Sequence, residues 1–178
     1  MRRLAPAFPA LGRFDLSICL FANRIHRRLA LASFFRIVSQ LGDGWVWLAL
    51  APALLLVHGA AALATLGRMA TMAVVGLLLY RWIKRITGRP RPYQAHPSIV
   101  RIAAALDRYS FPSGHTLHAV CFTTLVVGVF PDTWTWILVP FTTLVAASRV
   151  ILGLHYPTDV IAGGALGFAL AVLALRCL

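Results

Sequence analysis

Ser148-Arg149-Val150-Ile151-Leu152-Gly153-Leu154-His155-Tyr156-Pro157-Thr158-Asp159 sets an arginine, a histidine and an aspartate between two long runs that carry no charge. Such side chains are expensive at membrane depth, so a functional reading is the default. Pro157 suits the first position of a helix that continues through apolar residues to Leu175, with Tyr156 as its cap and Asp159 in its first turn. The helix dipole favours a carboxylate there, one turn from His155. Asp159 is placed to accept the Nδ1 proton of His155 and leave Nε2 free as a nucleophile, and Arg149 brings a planar donor fork to the same end. Taken alone, the stretch also reads as an interfacial Arg and His that merely mark helix ends.

The rest of the chain decides between these readings. Its 178 residues are 60% hydrophobic with a mean hydropathy of +0.79, well beyond soluble domains, whose apolar fraction is about 45–50%. The class is therefore an all-α integral membrane bundle forming one compact unit. The net charge of +12 arises from 17 basic against 5 acidic residues, all five of them Asp. Beside long apolar runs, that excess fits anionic lipid headgroups and phosphate as partners, not nucleic acid. Cys19, Cys121 and Cys177 lie far apart in apolar sequence with no C-x-x-C pair and read as small hydrophobes. Pro6, Pro9 and Gly12 interrupt the N-terminus, no small-residue cleavage site follows, and a removed signal peptide is not expected.

Residues 14–40 mix apolar positions with Arg24, His26, Arg27, Arg28 and Arg36, a pattern for two short amphipathic helices in the interface. Leu41-Gly42-Asp43-Gly44 reads as a turn. Residues 44–63 form a first charge-free span, anchored at the headgroup level by Trp45 and Trp47. A second span runs from Gly67 and Arg68 to Lys84, a third from His115 to Phe130, a fourth from Thr133 to Ser148 and a fifth from Pro157 to Leu175. This divides the chain into an interfacial segment, 1–43, and a transmembrane domain, 44–178. Five spans put the polar loop before His115 and the stretch ending at Asp159 on one face, where they can share a site.

Two further clusters lie on that face. Lys84-Arg85-Ile86-Thr87-Gly88-Arg89-Pro90-Arg91-Pro92 holds the only lysine together with three arginines, and its prolines stiffen the backbone around Arg89 and Arg91. Phe111-Pro112-Ser113-Gly114-His115 puts Ser113 and Gly114 at a helix N-terminus, where unpaired amides suit a phosphate, and His115 where it can protonate a leaving oxygen. Each also has a plain reading, as a lipid-surface anchor and as ordinary Ser capping.

Together, Lys84 with Arg91-Pro92, Pro112-Ser113-Gly114-His115, and Ser148-Arg149 with His155 and Asp159 resemble the three signature motifs of the type 2 phosphatidic acid phosphatase family, in order and spacing. The resemblance runs from about Gly44 onward. It implies a membrane lipid phosphatase in which His155 is the nucleophile that forms a phosphohistidine, Asp159 its orienting carboxylate and His115 the acid for the departing oxygen. It further implies that Lys84, Arg91 and Arg149 clamp the phosphoryl oxygens, that Ser113 and the Gly114 amide add hydrogen bonds, and that neither metal nor cofactor is needed. Arg85 and Arg89 fall outside the matched positions and read as supporting charge.

No Glu is present and the Asp residues are dispersed, so no carboxylate pair for two metals is legible. Cys121 has no arginine six residues later, which argues against a cysteine phosphatase loop. His118 is expected to line the third helix, and His26, His58 and His96 show no partners. A phosphotransferase using the same histidine and a nonenzymatic lipid-binding or transport protein are the rival classes. Members of the resembled family act on undecaprenyl diphosphate, phosphatidic acid or phosphatidylglycerophosphate, and this chain is expected in the cell (inner) membrane. Arg2, Arg3, Arg13, Arg24, Arg27, Arg28 and Arg36 precede the site on its own face, against Arg68 and Arg176 opposite, which puts the site in the cytoplasm. Bacterial members of the resembled family that work on the outer side argue the reverse.

Overall fold

The computed structural model describes residues 9–105 and 107–177; Arg2 and Arg3 of the charge count lie outside them. Among the described residues there are eight α-helices and no strand: α1 (Pro9–Asn23), α2 (Leu29–Gln40), α3 (Val46–His58), α4 (Ala62–Thr87), α5 (Pro92–Ala95), α6 (Gly114–Val129), α7 (Pro131–Ile151) and α8 (Pro157–Cys177). Those expected to be spans are α3, α4, α6, α7 and α8. Leu29–Ala95, Pro131–Ile151 and Pro157–Cys177 contain helical stretches long and apolar enough to cross a membrane. Their outward faces expose Leu56, Trp136, Phe168 and Leu173, side chains that lipid solvates and water does not.

The first span departs from expectation. Leu41–Trp45 breaks the chain between α2 and α3 where the turn is expected, with Gly44 at φ 149°, a backbone conformation that L side chains rarely adopt. Gly59 at φ 57° then ends α3 after 13 residues, about 20 Å of helix against a hydrocarbon core of about 30 Å. A 3₁₀ turn, Gly59–Ala61, leads directly into α4, which starts five residues before the expected Gly67. Trp45 is exposed as an interfacial anchor would be, but Trp47 is only 7% exposed and packs edge-on against Phe122 and Phe141. It belongs to the core, alongside Leu50, Leu54, Leu125 and Leu138.

Glycine sets the closest helix contact. Gly163 and Gly167, four residues apart on α8, face the carbonyls of Ser113 and Leu117 on α6 so closely that a β-carbon at either position would overlap them. Small residues at this spacing let membrane helices approach backbone to backbone. Consequently the start of α6 lies on the first turn of α8, and Ser113 N donates to Asp159 O at 3.0 Å. Thr123 and Thr142 join α6 to α7 through a 2.6 Å hydroxyl bond. At the same end of the bundle, Asn23 Nδ2 donates to Val100 O and Ile151 O, both at 3.0 Å, and thereby staples α1 to the end of α7.

Candidate active site

The 148–159 stretch folds as a tight reversal between α7 and α8. Gly153 sits at φ 74°, and a β-carbon there would lie 2.9 Å from both Val100 O and Ile99 Cγ2, so only glycine fits. The reversal lets the amides of Leu154 and His155 donate back to Arg149 O at 3.1 and 3.0 Å. Arg149 and His155 are thus held side by side, 2% and 1% exposed. Pro157 opens α8 as expected. Asp159, fully buried, accepts the Tyr156 amide at 2.8 Å, the half of a capping box in which a first-turn carboxylate covers the cap residue.

Asp159 does not take the predicted proton directly. Its Oδ2 lies 3.6 Å from His155 Nδ1, within ion-pair reach but beyond a hydrogen bond, and Nδ1 has no hydrogen-bond partner. The other oxygen accepts from Arg89 Nη1 at 2.6 Å. Arg89, assigned on sequence to supporting charge, is therefore the cation in direct contact with Asp159, whereas Arg85 is exposed.

The other two clusters arrive from α4 and α6. Gly88, left-handed at φ 57°, stops α4 just after Lys84, and Arg89 and Arg91 follow on either side of Pro90. Lys84 Nζ reaches both Asp107 oxygens at 2.9 and 2.8 Å, and Arg91 Nη2 reaches Oδ1 at 2.7 Å, so one carboxylate bridges two of the three expected clamp cations. Arg91 Nη1 donates to Leu154 O at 2.7 Å and stands 3.3 Å from His155 Nε2. Arg149 donates to Ser39 Oγ from α2. His115 Nε2 pairs with Asp43, at the turn between α2 and α3. Ser113 caps α6 as expected, but its buried hydroxyl bonds Thr116 Oγ1 at 2.9 Å.

A cavity of about 640 Å³ gathers these groups. Lys84, Arg91, Arg149, Gly114, His115 and His155 line one end, and Leu48, Leu66, Met69 and Leu77 of α3 and α4 line the other. Ser113 and Asp159 stand behind this lining. Burial first, then the positive charge of Arg149, Arg91 and Lys84, holds the His155 imidazole well below its ordinary pKa and therefore neutral. At Asp107 burial acts to raise the pKa, but the bonds and charge from Lys84 and Arg91 outweigh it and hold the carboxylate below its usual range.

Sequence reasoning missed Asp15, Asp43 and Asp107, although a signal was available. The chain has only five acidic residues, and all but Asp132 converge on this end of the bundle. The remaining histidines have structural partners that sequence did not show. His58 stacks on Phe130 at 3.8 Å and accepts from Trp134 Nε1; His26 Nδ1 meets Asn23 O at 2.7 Å; His96 Nδ1 accepts the Ser98 amide. His118 faces the carbonyls of Gly114 and Ala73 and lines the cavity. Cys19 and Cys121 are buried, while Cys177 is exposed. Among the described residues no three His, Cys, Asp or Glu side chains are grouped to hold a metal ion.

Comparison with known proteins adds an independent line. The family model described as the PAP2 superfamily matches residues 62–178. The chain is 34% identical over 131 residues to decaprenylphosphoryl-5-phosphoribose phosphatase of Mycolicibacterium smegmatis, covering 72% of this chain and 68% of that one. It is 29% identical over 141 residues to undecaprenyl-diphosphatase of Sulfolobus acidocaldarius, covering 78% and 66%, so it spans about two thirds of the length of these relatives. The crystal structure of a transmembrane PAP2-type phosphatidylglycerolphosphate phosphatase from Bacillus subtilis superposes with a TM-score of 0.72 at 25% identity, over 96% of this chain and 87% of that one. Aquifex aeolicus LpxE shares the fold, with a TM-score of 0.76 at 22% identity over 90% and 94% of the two chains.

Proposed function

The chain belongs to the PAP2 superfamily, and from that premise we propose that it removes the terminal phosphate of a membrane lipid phosphate or diphosphate through a phosphohistidine on His155. One observation carries this reading: a single cavity joins a neutral buried imidazole and three cations to an apolar wall between α3 and α4. The polar end suits a phosphoryl group and the wall suits hydrocarbon.

In the reaction, His155 Nε2 gives its lone pair to phosphorus while the bond from phosphorus to the lipid oxygen breaks, and that oxygen takes a proton from His115. Asp43, paired with His115, holds in place the ring that delivers this proton. Arg91, 3.3 Å from Nε2, stands beside the phosphoryl group in its transferred position and stabilises charge there with Lys84 and Arg149. Asp107 yields part of its hold on Lys84 and Arg91 to the phosphoryl oxygens. Positive charge then builds on the His155 ring, and Asp159, at 3.6 Å from Nδ1, offsets it. In the second step water, giving a proton to His115, attacks phosphorus while the bond from His155 Nε2 to phosphorus breaks, which returns the electron pair to the ring and releases phosphate.

The substrate class covers undecaprenyl diphosphate, phosphatidic acid and phosphatidylglycerophosphate, and the enzyme works as a multi-pass protein of the cell (inner) membrane. The test is phosphate release from each of those lipids in detergent by wild type and His155→Ala. At least one lipid is expected to release free phosphate with wild type, and the variant, still folded, to fall below about a thousandth of that rate. A variant that keeps more than a few per cent rejects the nucleophile assignment. Phosphate passed only to a second lipid identifies a phosphotransferase.

A further inference from the structure

We infer that Asp15, on α1 and outside the residues matched by the family model, is a positioning residue for catalysis, acting on His155 through Arg89 and Asp159. This rests on the proposed role of His155. Asp15 is fully buried. Its Oδ1 accepts the Thr158 amide of α8 at 3.1 Å, and its Oδ2 accepts from Arg89 Nη2 at 2.7 Å and from the Thr158 hydroxyl. The other arm of the same guanidinium, Nη1, reaches Asp159 Oδ1 at 2.6 Å and the Thr158 hydroxyl at 2.8 Å. Its plane lies over the Tyr156 ring, 4.0 Å from the ring centre. Two buried carboxylates thus share one guanidinium, and the shared fork fixes which oxygen of Asp159 is left to face His155 Nδ1.

The arrangement exceeds what anchoring α1 requires. Asn23 already staples that helix through backbone carbonyls, and Cys19 packs in the same cluster as Ile99 and Tyr156. A buried ion row is a costly fastener that apolar packing replaces at no loss of stability. Its chemical effect is to divide the charge of Arg89. With Asp15 present, Asp159 keeps enough negative charge to offset the ring charge that builds on His155 during transfer. Without Asp15, Arg89 turns wholly to Asp159, neutralises it and draws it off the imidazole. Loss of the charge on both Asp15 and Arg89 removes the imbalance.

The experiment compares Asp15→Asn, Arg89→Gln and the double variant with wild type and His155→Ala, in detergent, on whichever of the three lipids wild type hydrolyses fastest. Steady-state constants, the single-turnover rate of phosphohistidine formation and thermal stability are measured. Asp15→Asn keeps an oxygen for the Thr158 amide and is expected to lose about tenfold to a hundredfold in kcat and in the phosphorylation rate, with KM within about twofold of wild type. The double variant is expected to be faster than the product of the single effects by at least about threefold. Should Asp15→Asn not fold, Thr158→Val removes the hydroxyl shared by Asp15 and Arg89 and is expected to lower kcat without raising KM. A folded Asp15→Asn or Thr158→Val at wild-type kcat overturns the inference, as do losses that track thermal stability and add without coupling. Wild type inactive on all three lipids, or His155→Ala active, overturns the phosphatase reading instead.

Discussion

His155, proposed as the nucleophile, is buried among three cations, and that burial has a consequence that can be titrated. Its imidazole is held well below the ordinary value of 6.5, first by burial and then by Arg149, Arg91 and Lys84. The neutral form, which the proposed nucleophile requires, therefore persists below the pH at which a free imidazole would be half protonated. The acid limb of kcat/KM, corrected for the ionisation of the substrate phosphate, is expected below 6.5. A limb at or above that value would show an imidazole that takes up protons readily and would undo the account of its activation. The same shift makes acid destabilising: below 6.5 the unfolded chain binds a proton at His155 that the folded chain does not, so stability falls as pH falls through that value. That Lys84, Arg91, His115, Arg149, His155 and Asp159 gather at one end of the bundle was legible from the spacing of the motifs. Asp43, Asp107, Ser39 and the contacts of Arg89 with Asp15 and Asp159 were not. Their partners lie far away in sequence, as with His115 and Asp43, 72 residues apart, and no periodicity records such a pair.

At the scale of elements, helix type and order were readable from apolar runs and prolines, while the length of α3 was not. Glycine governs both ends of that helix: Gly44 and Gly59 adopt positive φ, which hydropathy does not register. Glycine also sets the contact that matters most for the site. Because Ser113 N is tied to Asp159 O, any separation of α6 from α8 moves His115 relative to His155. Gly167 meets the Leu117 carbonyl two turns deeper, away from the reacting groups. Gly167→Ala is accordingly expected to cost about 1–3 kcal/mol of stability through overpacking and to lower kcat well beyond what the unfolded fraction explains. Thermal unfolding and turnover at a temperature where the variant is fully folded check both parts. Wild-type kcat in the folded variant would show that the α6–α8 distance does not set the alignment of the two histidines.

For the whole molecule, the open question of orientation becomes a prediction. The C-terminal end of α4, the start of α6, the end of α7 and the start of α8 form one face, and Asp132 lies at the α6–α7 connection on the other. Both N-terminal helices are fastened to the site face, α1 through Asp15 and Asn23 and α2 through the bond from Arg149 to Ser39. Their arginines, Arg13, Arg24, Arg27, Arg28 and Arg36, therefore count on that side, against Arg68 near the start of α4 and Arg176 at the end of α8. Lys84, Arg89 and Arg91 are held by Asp107, Asp15 and Asp159, so those cations serve the site and are set aside. A large excess remains on the same face, and the positive-inside rule puts that face in the cytoplasm. Single cysteines placed in a chain lacking Cys19, Cys121 and Cys177 test it in intact cells. Pro97 and Asp132 are both exposed, on opposite faces. A cysteine at 97 is expected to resist a membrane-impermeant maleimide and one at 132 to react with it. The reverse pattern would put the cavity on the outer surface, where a lipid diphosphate released outside the cell becomes the leading substrate, and would mean that the arginines of α1 and α2 are kept for headgroup contact and not for orientation.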